Sequence, residues 1–337
     1  MTVLERLERT GLRRLGTPKR GFRYVHADGR RASAAETKRI QELVIPPAWK
    51  DVLIDPSPRG AVQAMGRDAA GRWQYLYSEA RAARREKEKF DRLLHFAQAL
   101  PKMRRAVARD IRLPGMPREK VLACVLRILS TCFLRPGSEI YAEENGSYGI
   151  ATLRAKHVKV KGDLVLFDFP GKSGKQQHRE LRDRRVARIV RELAAVPGEV
   201  FKYRDTEGKW VDIRRRDINA YIKDVMGDRF SAKDFRTWAG TLICACALAR
   251  AGVDATEKKS ARKRKVVAAI KETAENLGNT PAICRASYIY PAVISSYDRG
   301  KVIDRYFDNV EELVKRRSCN LHAAEKALVD LLSRKAS

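Results

Sequence analysis

Acidic residues are scarce relative to basic ones in this chain: 41 Asp and Glu stand against 70 Lys and Arg in 337 residues, a formal net charge of +29. The imbalance argues against a cationic ligand and for a polyanion, because a strongly basic protein concentrates negative partners around itself. Histidine is also scarce, with five residues at 26, 95, 157, 178 and 322. No cluster of Asp, Glu and His falls at ligand spacing, so neither a resident metal nor another cofactor is expected. Of the six cysteines none forms a CxxC pair, and most sit in apolar runs such as VLACVLRILSTCFL and TLICACALARAG. They read as reduced, buried thiols, not as zinc ligands or disulfides. Long hydrophobic runs are missing as well. Arg127 interrupts the longest, well short of the roughly 18 apolar residues that a membrane span needs. The opening MTVLERLERTGLRRLG has helical spacing and no apolar core followed by a cleavage site, so no signal peptide is expected. These absences point to a cytoplasmic protein.

What remains is enough to fold. Hydrophobic residues make up 44% of the chain, too many for a disordered basic tail, so the charge must decorate folded surfaces. Nucleic acid is the leading partner, and two domains fit the length. From Gly21 to Tyr77, short alternating runs such as FRYVHADGR and WQYLY are separated by turn signals at Asp28-Gly29, Pro56 to Pro58 and Gly71. That pattern predicts a small antiparallel sheet with a helix over ETKRIQELVIPP. From Ser78 the period becomes helical, which sets domains of residues 1–80 and 81–337. HVKVKGDLVLFDFPGKSGKQQHREL predicts three short antiparallel strands inside the helical part. TPAICRASYIY begins on a good start signal, with Thr280 as cap and Pro281 at the first helical position, and Pro291 is read as ending that helix after Tyr290. EKKSARKRKVV reads as a solvated linker, with grazing contact to nucleic acid as the alternative. The fold class is α+β.

Cleaving a phosphodiester without metal requires a nucleophile, cations on the non-bridging oxygens and an acid for the departing oxygen. FLRPGSEIYAEENGSYGIATLR, FPGKSGK, KDFRTWAGT and LGNTPAICRASY supply candidates for all three. In order and nearly in spacing these segments resemble the catalytic motifs of the small bacterial and poxvirus-like type IB DNA topoisomerases. The resemblance extends to IPPAWKDVLIDPSPRGAVQAMGRDAAGRWQYLY, which is similar to that family's DNA-clamping β domain.

The resemblance implies relaxation of positive and negative supercoils through a transient 3′-phosphotyrosine, without ATP or metal, by a monomer that clamps duplex DNA in the nucleoid. It implies that Tyr288 is the nucleophile, that Arg135 and Arg236 grip the scissile phosphate, and that Lys172 protonates the leaving 5′ oxygen. Arg135 is expected in the helix after the buried VLACVLRIL run. Where poxvirus-type members carry a histidine this chain has Asn279, which can donate a hydrogen bond but cannot move a proton. DNA contacts are implied at Gln74, Tyr75, Tyr77, Tyr141 and Lys233. On a strand Tyr75 and Tyr77 share a face and Gln74 points away. Lys175 reads as a phosphate contact or a solvated side chain. Tyr290 is a rival to Tyr288 but breaks the spacing to Asn279. Two other readings stand beside this one: a tyrosine recombinase, disfavoured because no His-x-x-Arg precedes Arg236, and a non-catalytic architectural DNA-binding protein, for which the charge alone would suffice.

Overall fold

The computed structural model describes residues 1–69, 71–254, 256–310, 312 and 318–333, and within these the side chains of all but 85–87, 89, 90 and 173. The chain divides into two units, Met1–Lys89 and Phe90–Ser337.

In the first unit Thr2 and Glu5 cap each other, Thr2 N donating to Glu5 Oε2 at 2.7 Å and Glu5 N to Thr2 Oγ1 at 3.2 Å. This starts helix α1 (Val3–Thr10), and the helical pattern stops there. LRRLGT then becomes strand β1 (Leu12–Thr17), placed by the pairing of Leu12 with Ile54. With β2 (Gly21–Val25) it joins a sheet that α2 (Ala34–Glu42) interrupts in sequence and that β3 (Lys50–Ile54), β4 (Val62–Arg67) and β5 (Trp73–Tyr77) complete. The strands are antiparallel in the order β2-β1-β3-β4-β5. Alternation sorts the two faces. Leu12, Val52, Ile54 and Ala64 pack with Ile40 of α2, whereas Leu53, Val62 and Met65 pack with Leu7 of α1. The sheet is thus larger than the sequence pattern predicted, beginning at Leu12, and α2 starts earlier, at the Ser33–Glu36 cap.

The boundary between the units falls within α3 (Glu79–Asp110), a helix that continues through Pro101. Beyond it come α4 (Arg118–Cys132), α5 (Glu139–Asn145) and the antiparallel sheet β6 (Val158–Lys161), β7 (Leu164–Pro170) and β8 (Gln176–Arg182). Next are α6 (Arg184–Ala194), a short hairpin of β9 (Lys202–Arg204) and β10 (Trp210–Asp212) that the sequence pattern did not reveal, and α7 (Arg215–Met226). The chain then forms α8 (Ala232–Ala251), α9 (Lys259–Leu277), α10 (Pro281–Ser287), α11 (Pro291–Asp298) and α12 (Ala323–Ser333). Helix α8 is buried around nearly its whole circumference, the mark of a central core helix. It contacts α4, α7, α9, α11 and α12.

Three expectations need correction. Arg135 is not helical: α4 ends at Cys132, Phe133 takes a left-handed conformation (φ 54°), and Pro136 keeps the residue before it extended. Pro291 does not end the helix of Tyr288; that helix stops at Ser287, and Pro291 starts α11, where its missing N–H costs nothing. The basic stretch EKKSARKRKVV is mostly not a linker, since from Lys259 onward it is the first half of α9, anchored by Val266 in the core.

A buried carboxylate ties α12 to this core. Glu325, 1% exposed, accepts from Arg104 Nη1 and Nη2 at 2.9 and 2.8 Å, from Trp238 Nε1 at 3.1 Å and from His322 N at 2.9 Å. Burial alone would raise its pKa, but the Arg104 guanidinium and the other donors outweigh this and hold it below the ordinary carboxylate value. A depressed folded-state pKa contributes stability that is present above the unfolded value and lost as pH falls through the folded one. Glu325→Ala, which strands Arg104, should cost about 3–5 kcal/mol in a urea titration at neutral pH, and the gap from wild type should shrink on acidification.

Candidate active site

The ends of two helices frame the site. At the first, the left-handed turn of Phe133 redirects the chain, and the following segment is zipped to a second one: Ile150 N donates to Arg135 O and Ala151 N to Pro136 O, both at 2.9 Å. Close approach is possible only because glycines meet there. A Cβ on Gly149 would lie 2.4 Å from Gly137 N and 2.7 Å from Arg135 O. This explains the RPG and YGIA pieces of the motif, which fix the backbone from which Arg135 projects. The second helix end is that of α9, where Gly278 (φ 61°) makes a left-handed cap and Asn279 N donates to Ala274 O at 2.9 Å. Thr280 caps α10 from its side chain, with Pro281 in the first turn, as the sequence predicted.

Arg236, on α8, joins the two ends. Ser231 N donates to Asp234 Oδ2 at 2.9 Å and opens the helix, so the KDF of KDFRTW sets the turn that carries Arg236 inward. The guanidinium is 3% exposed. Its Nη1 donates to Phe133 O, at the end of α4, and its Nη2 to Leu277 O, at the end of α9, at 2.8 Å. Both partners are helix C-terminal carbonyls, carrying partial negative charge but no full one. Asn279, 7% exposed, accepts from Arg135 Nη2 through Oδ1. Arg236 Nε and Asn279 Nδ2 are buried donors with no acceptor. Such donors are rare in folded proteins and mark places where a ligand oxygen would be welcome.

Tyr288 ends α10 half-buried, with its ring 5.0 Å from the Arg236 guanidinium carbon. Its backbone is held beside Thr241, whose hydroxyl proton is shared between Thr237 O at 2.8 Å and Tyr288 O at 3.2 Å and whose oxygen accepts from Tyr290 N at 3.1 Å. Gly240 lets the two elements touch, since a Cβ there would lie 2.8 Å from Tyr288 O. Burial alone would raise the phenol's pKa, but Arg236 by charge and hydrogen bond, then Arg135 and Lys233 by charge, bring it below the ordinary value. Tyr290, by contrast, is pushed up by burial and by Asp91. Arg135 is itself pushed down to about 10, first by burial and then by the charge of Arg236. At neutral pH it keeps its proton.

Lys172 stands apart from this cluster. It begins the single turn between β7 and β8, exposed at the hairpin tip. Lys175 is not simply solvated, for its Nζ donates to Asn279 O at 3.2 Å.

Comparison with known proteins identifies the family of the chain. Residues 78–312 match the family model of the eukaryotic DNA topoisomerase I catalytic core, a stretch that contains Arg135, Lys172, Arg236, Asn279 and Tyr288. Residues 21–68 match the N-terminal domain of bacterial DNA topoisomerase IB. DNA topoisomerase 1B of Acanthamoeba polyphaga mimivirus is 34% identical over 284 residues, covering 81% of this chain and 83% of the viral protein. DNA topoisomerase 1B of vaccinia virus (strain Copenhagen) is 24% identical over 259 residues, covering 76% and 80%. The chain belongs to the type IB DNA topoisomerase family.

In this topoisomerase the expected DNA-contact residues of the first unit lie on β5. Tyr75 and Tyr77 share a face, with ring centroids 6.2 Å apart, and Tyr75 is 42% exposed. Gln74 points away and donates to Asp68 Oδ2 at 2.8 Å. In the second unit Tyr141 lies exposed on α5 and Lys233 in the first turn of α8. Sequence reasoning missed Arg179 on β8. Burial lowers its pKa, and the charge of Arg236 lowers it further, which places it within electrostatic reach of the cationic cluster. Its only sequence signal was the alternation of the strand, which cannot say what lies opposite.

Two outcomes follow from the contacts of Tyr288. Gly240→Ala should destabilise the topoisomerase by about 1–3 kcal/mol, the usual range for overpacking, read as a lowered midpoint in a urea titration. Lys233→Gln removes a cation that favours the phenolate, so the Tyr288 pKa rises. The titration of the Tyr288 phenol, followed by NMR of ring-labelled tyrosine, should therefore move to higher pH, and an unmoved or acid-shifted curve would show that Lys233 does not act on this phenol.

Proposed function

We propose that the enzyme relaxes positive and negative supercoils by nicking one strand of duplex DNA and resealing it, using Tyr288 as the nucleophile. The phenol oxygen bonds to the scissile phosphorus and the bond to the 5′ oxygen breaks. The phenol proton passes to solvent as the phenolate forms, and the departing oxygen takes its proton from the Lys172 ammonium. The 3′-phosphotyrosyl ester keeps the energy of the original linkage. Religation reverses the same steps, so ATP has no role.

The observation that carries this reading is the buried Arg236 guanidinium, which is held by two helix-end carbonyls and faces Tyr288, and whose Nε, like Asn279 Nδ2, finds no acceptor among the described residues. A phosphate oxygen placed there would accept from Arg236 Nε, Asn279 Nδ2 or both. Arg135 would complete a planar, permanently charged grip on a phosphorus centre that gains negative charge. Because these cations come from the chain, the chemistry asks for no metal ion. Asn279 stabilises the transition state and moves no proton. Tyr75, Tyr77, Tyr141 and Lys233 position the duplex, in a monomer whose two units both contact it. Gln74 does so after releasing Asp68. Such contacts follow the phosphate backbone more than base sequence. Action on the nucleoid in the cytoplasm is the corresponding setting.

The test is relaxation of negatively and positively supercoiled plasmid in EDTA without ATP. Wild type should relax both, Tyr288→Phe neither, and Tyr290→Phe should keep the activity. Arg236→Lys should lose about 10²- to 10³-fold, the scale of removing one oxyanion donor. A requirement for Mg²⁺, or relaxation by Tyr288→Phe, would sink the proposal.

A further inference from the structure

Lys172 sits exposed on a hairpin tip, without a partner among the described residues, yet a proton donor must be held within reach of one oxygen. The stem of that hairpin makes three contacts with the corner that carries Asn279. Arg179 Nη2 donates to Asn276 O at 3.0 Å and lies 3.5 Å from Glu275 O, at the C-terminal end of α9 where a cation is favoured. Lys175 Nζ donates to Asn279 O at 3.2 Å. Gln177, 5% exposed, and Arg179 both close over Gly278: a Cβ there would lie 2.4 Å from Gln177 Oε1 and 3.1 Å from Arg179 Nη2. Inside the hairpin Gly171 N donates to Lys175 O at 2.9 Å, and Gln177 Nε2 to the same carbonyl at 3.2 Å. The turn bearing Lys172 is therefore continuous with the clamped stem.

From this arrangement we infer that Arg179 is a positioning residue which, with Lys175 and Gln177, docks the Lys172 hairpin onto the Gly278-Asn279 corner, so that the proton donor is registered with the phosphate-binding donors. The inference rests on the proposed role of Lys172 as the acid. Arg179 touches neither phosphate nor leaving oxygen; it acts by holding the strand. Its own guanidinium, occupied by carbonyls, stays out of the phosphate grip of Arg135 and Arg236.

The experiment uses single-turnover cleavage of a duplex carrying a site mapped with the wild-type protein, made with oxygen or with sulfur at the bridging 5′ position. A thiolate leaves without a proton, so sulfur removes the need for the acid and for anything that positions it. Arg179→Gln should cleave the oxygen duplex roughly 10- to 100-fold more slowly, the scale of a misplaced catalytic group, and the sulfur duplex at nearly the wild-type rate. Added to Lys172→Ala, it should cost little more than Lys172→Ala alone. Equal slowing on both duplexes, or multiplied effects in the double variant, would overturn the inference. Should Arg179→Gln fail to melt cooperatively, Arg179→Lys, which keeps the charge and one donor, takes its place in the same comparison. Wild type that cleaves neither duplex would overturn the proposed function itself. Sulfur that rescues Lys172→Ala but not the Arg179 variant would overturn the clamp alone.

Discussion

The site depends on one buried charge, that of Arg236, which has no carboxylate partner among the described residues. Had Arg236 been paired with a carboxylate, the pair would be neutral and the field at Tyr288 weak. Its partners are instead the last carbonyls of α4 and α9, which satisfy the hydrogen-bonding demand of the guanidinium while leaving most of its positive charge in place. Burying a charge on such terms is costly, and the cost is met by the rest of the second unit. Helix α8 is embedded in apolar neighbours on every side, and both carbonyl-bearing helices pack against it. The fold holds two helix ends against one guanidinium, and Tyr288 is set beside it by Gly240 and Thr241.

The same arrangement sets the balance at the phenol. Burial disfavours the phenolate, and three cations favour it; the cations win for Tyr288, whereas two residues later burial and a carboxylate act together to raise Tyr290. Tyr288 closes α10 and Tyr290 opens α11, and the two phenols meet different charges, cations at the first and Asp91 at the second.

Much of this was legible in the sequence, for identifiable reasons. The sheet of the first unit and the β6-β7-β8 sheet follow from alternation and from glycine turns, and the start of α10 follows from Thr280-Pro281; these are local signals. Arg135, Arg236, Asn279 and Tyr288 were found together because three of the ordered motifs carried them, and the structure does bring them into one cluster, with Lys172 of the fourth standing apart. What was not legible depends on contacts remote in sequence. Phe133 in a left-handed turn, which takes Arg135 out of the helix, is stabilised by segments at 149–151 and by Arg236, a hundred residues away. LRRLGT is a strand because Ile54 waits beside it. Arg179 looks like any exposed strand arginine until α9 is placed opposite.

Asn279 shows how geometry limits what a substitution in a motif changes. An arginine can only donate, so the atom of Asn279 that meets Arg135 must be the carbonyl oxygen, which leaves the NH2 group aimed elsewhere and free. A histidine at the same place, accepting from Arg135 through one ring nitrogen, would present a single N–H from the other: the same polarity, one acceptor toward the arginine and one donor away from it. The exchange therefore keeps the hydrogen-bonding pattern and removes a group that titrates near neutrality. What then responds to pH in the cluster is the Tyr288 phenol, since Arg135, even pushed down to about 10, stays charged at neutral pH. The asparagine leaves the positive charge of the cluster to groups that stay charged at neutral pH, and it adds no titrating group of its own beside the Tyr288 phenol.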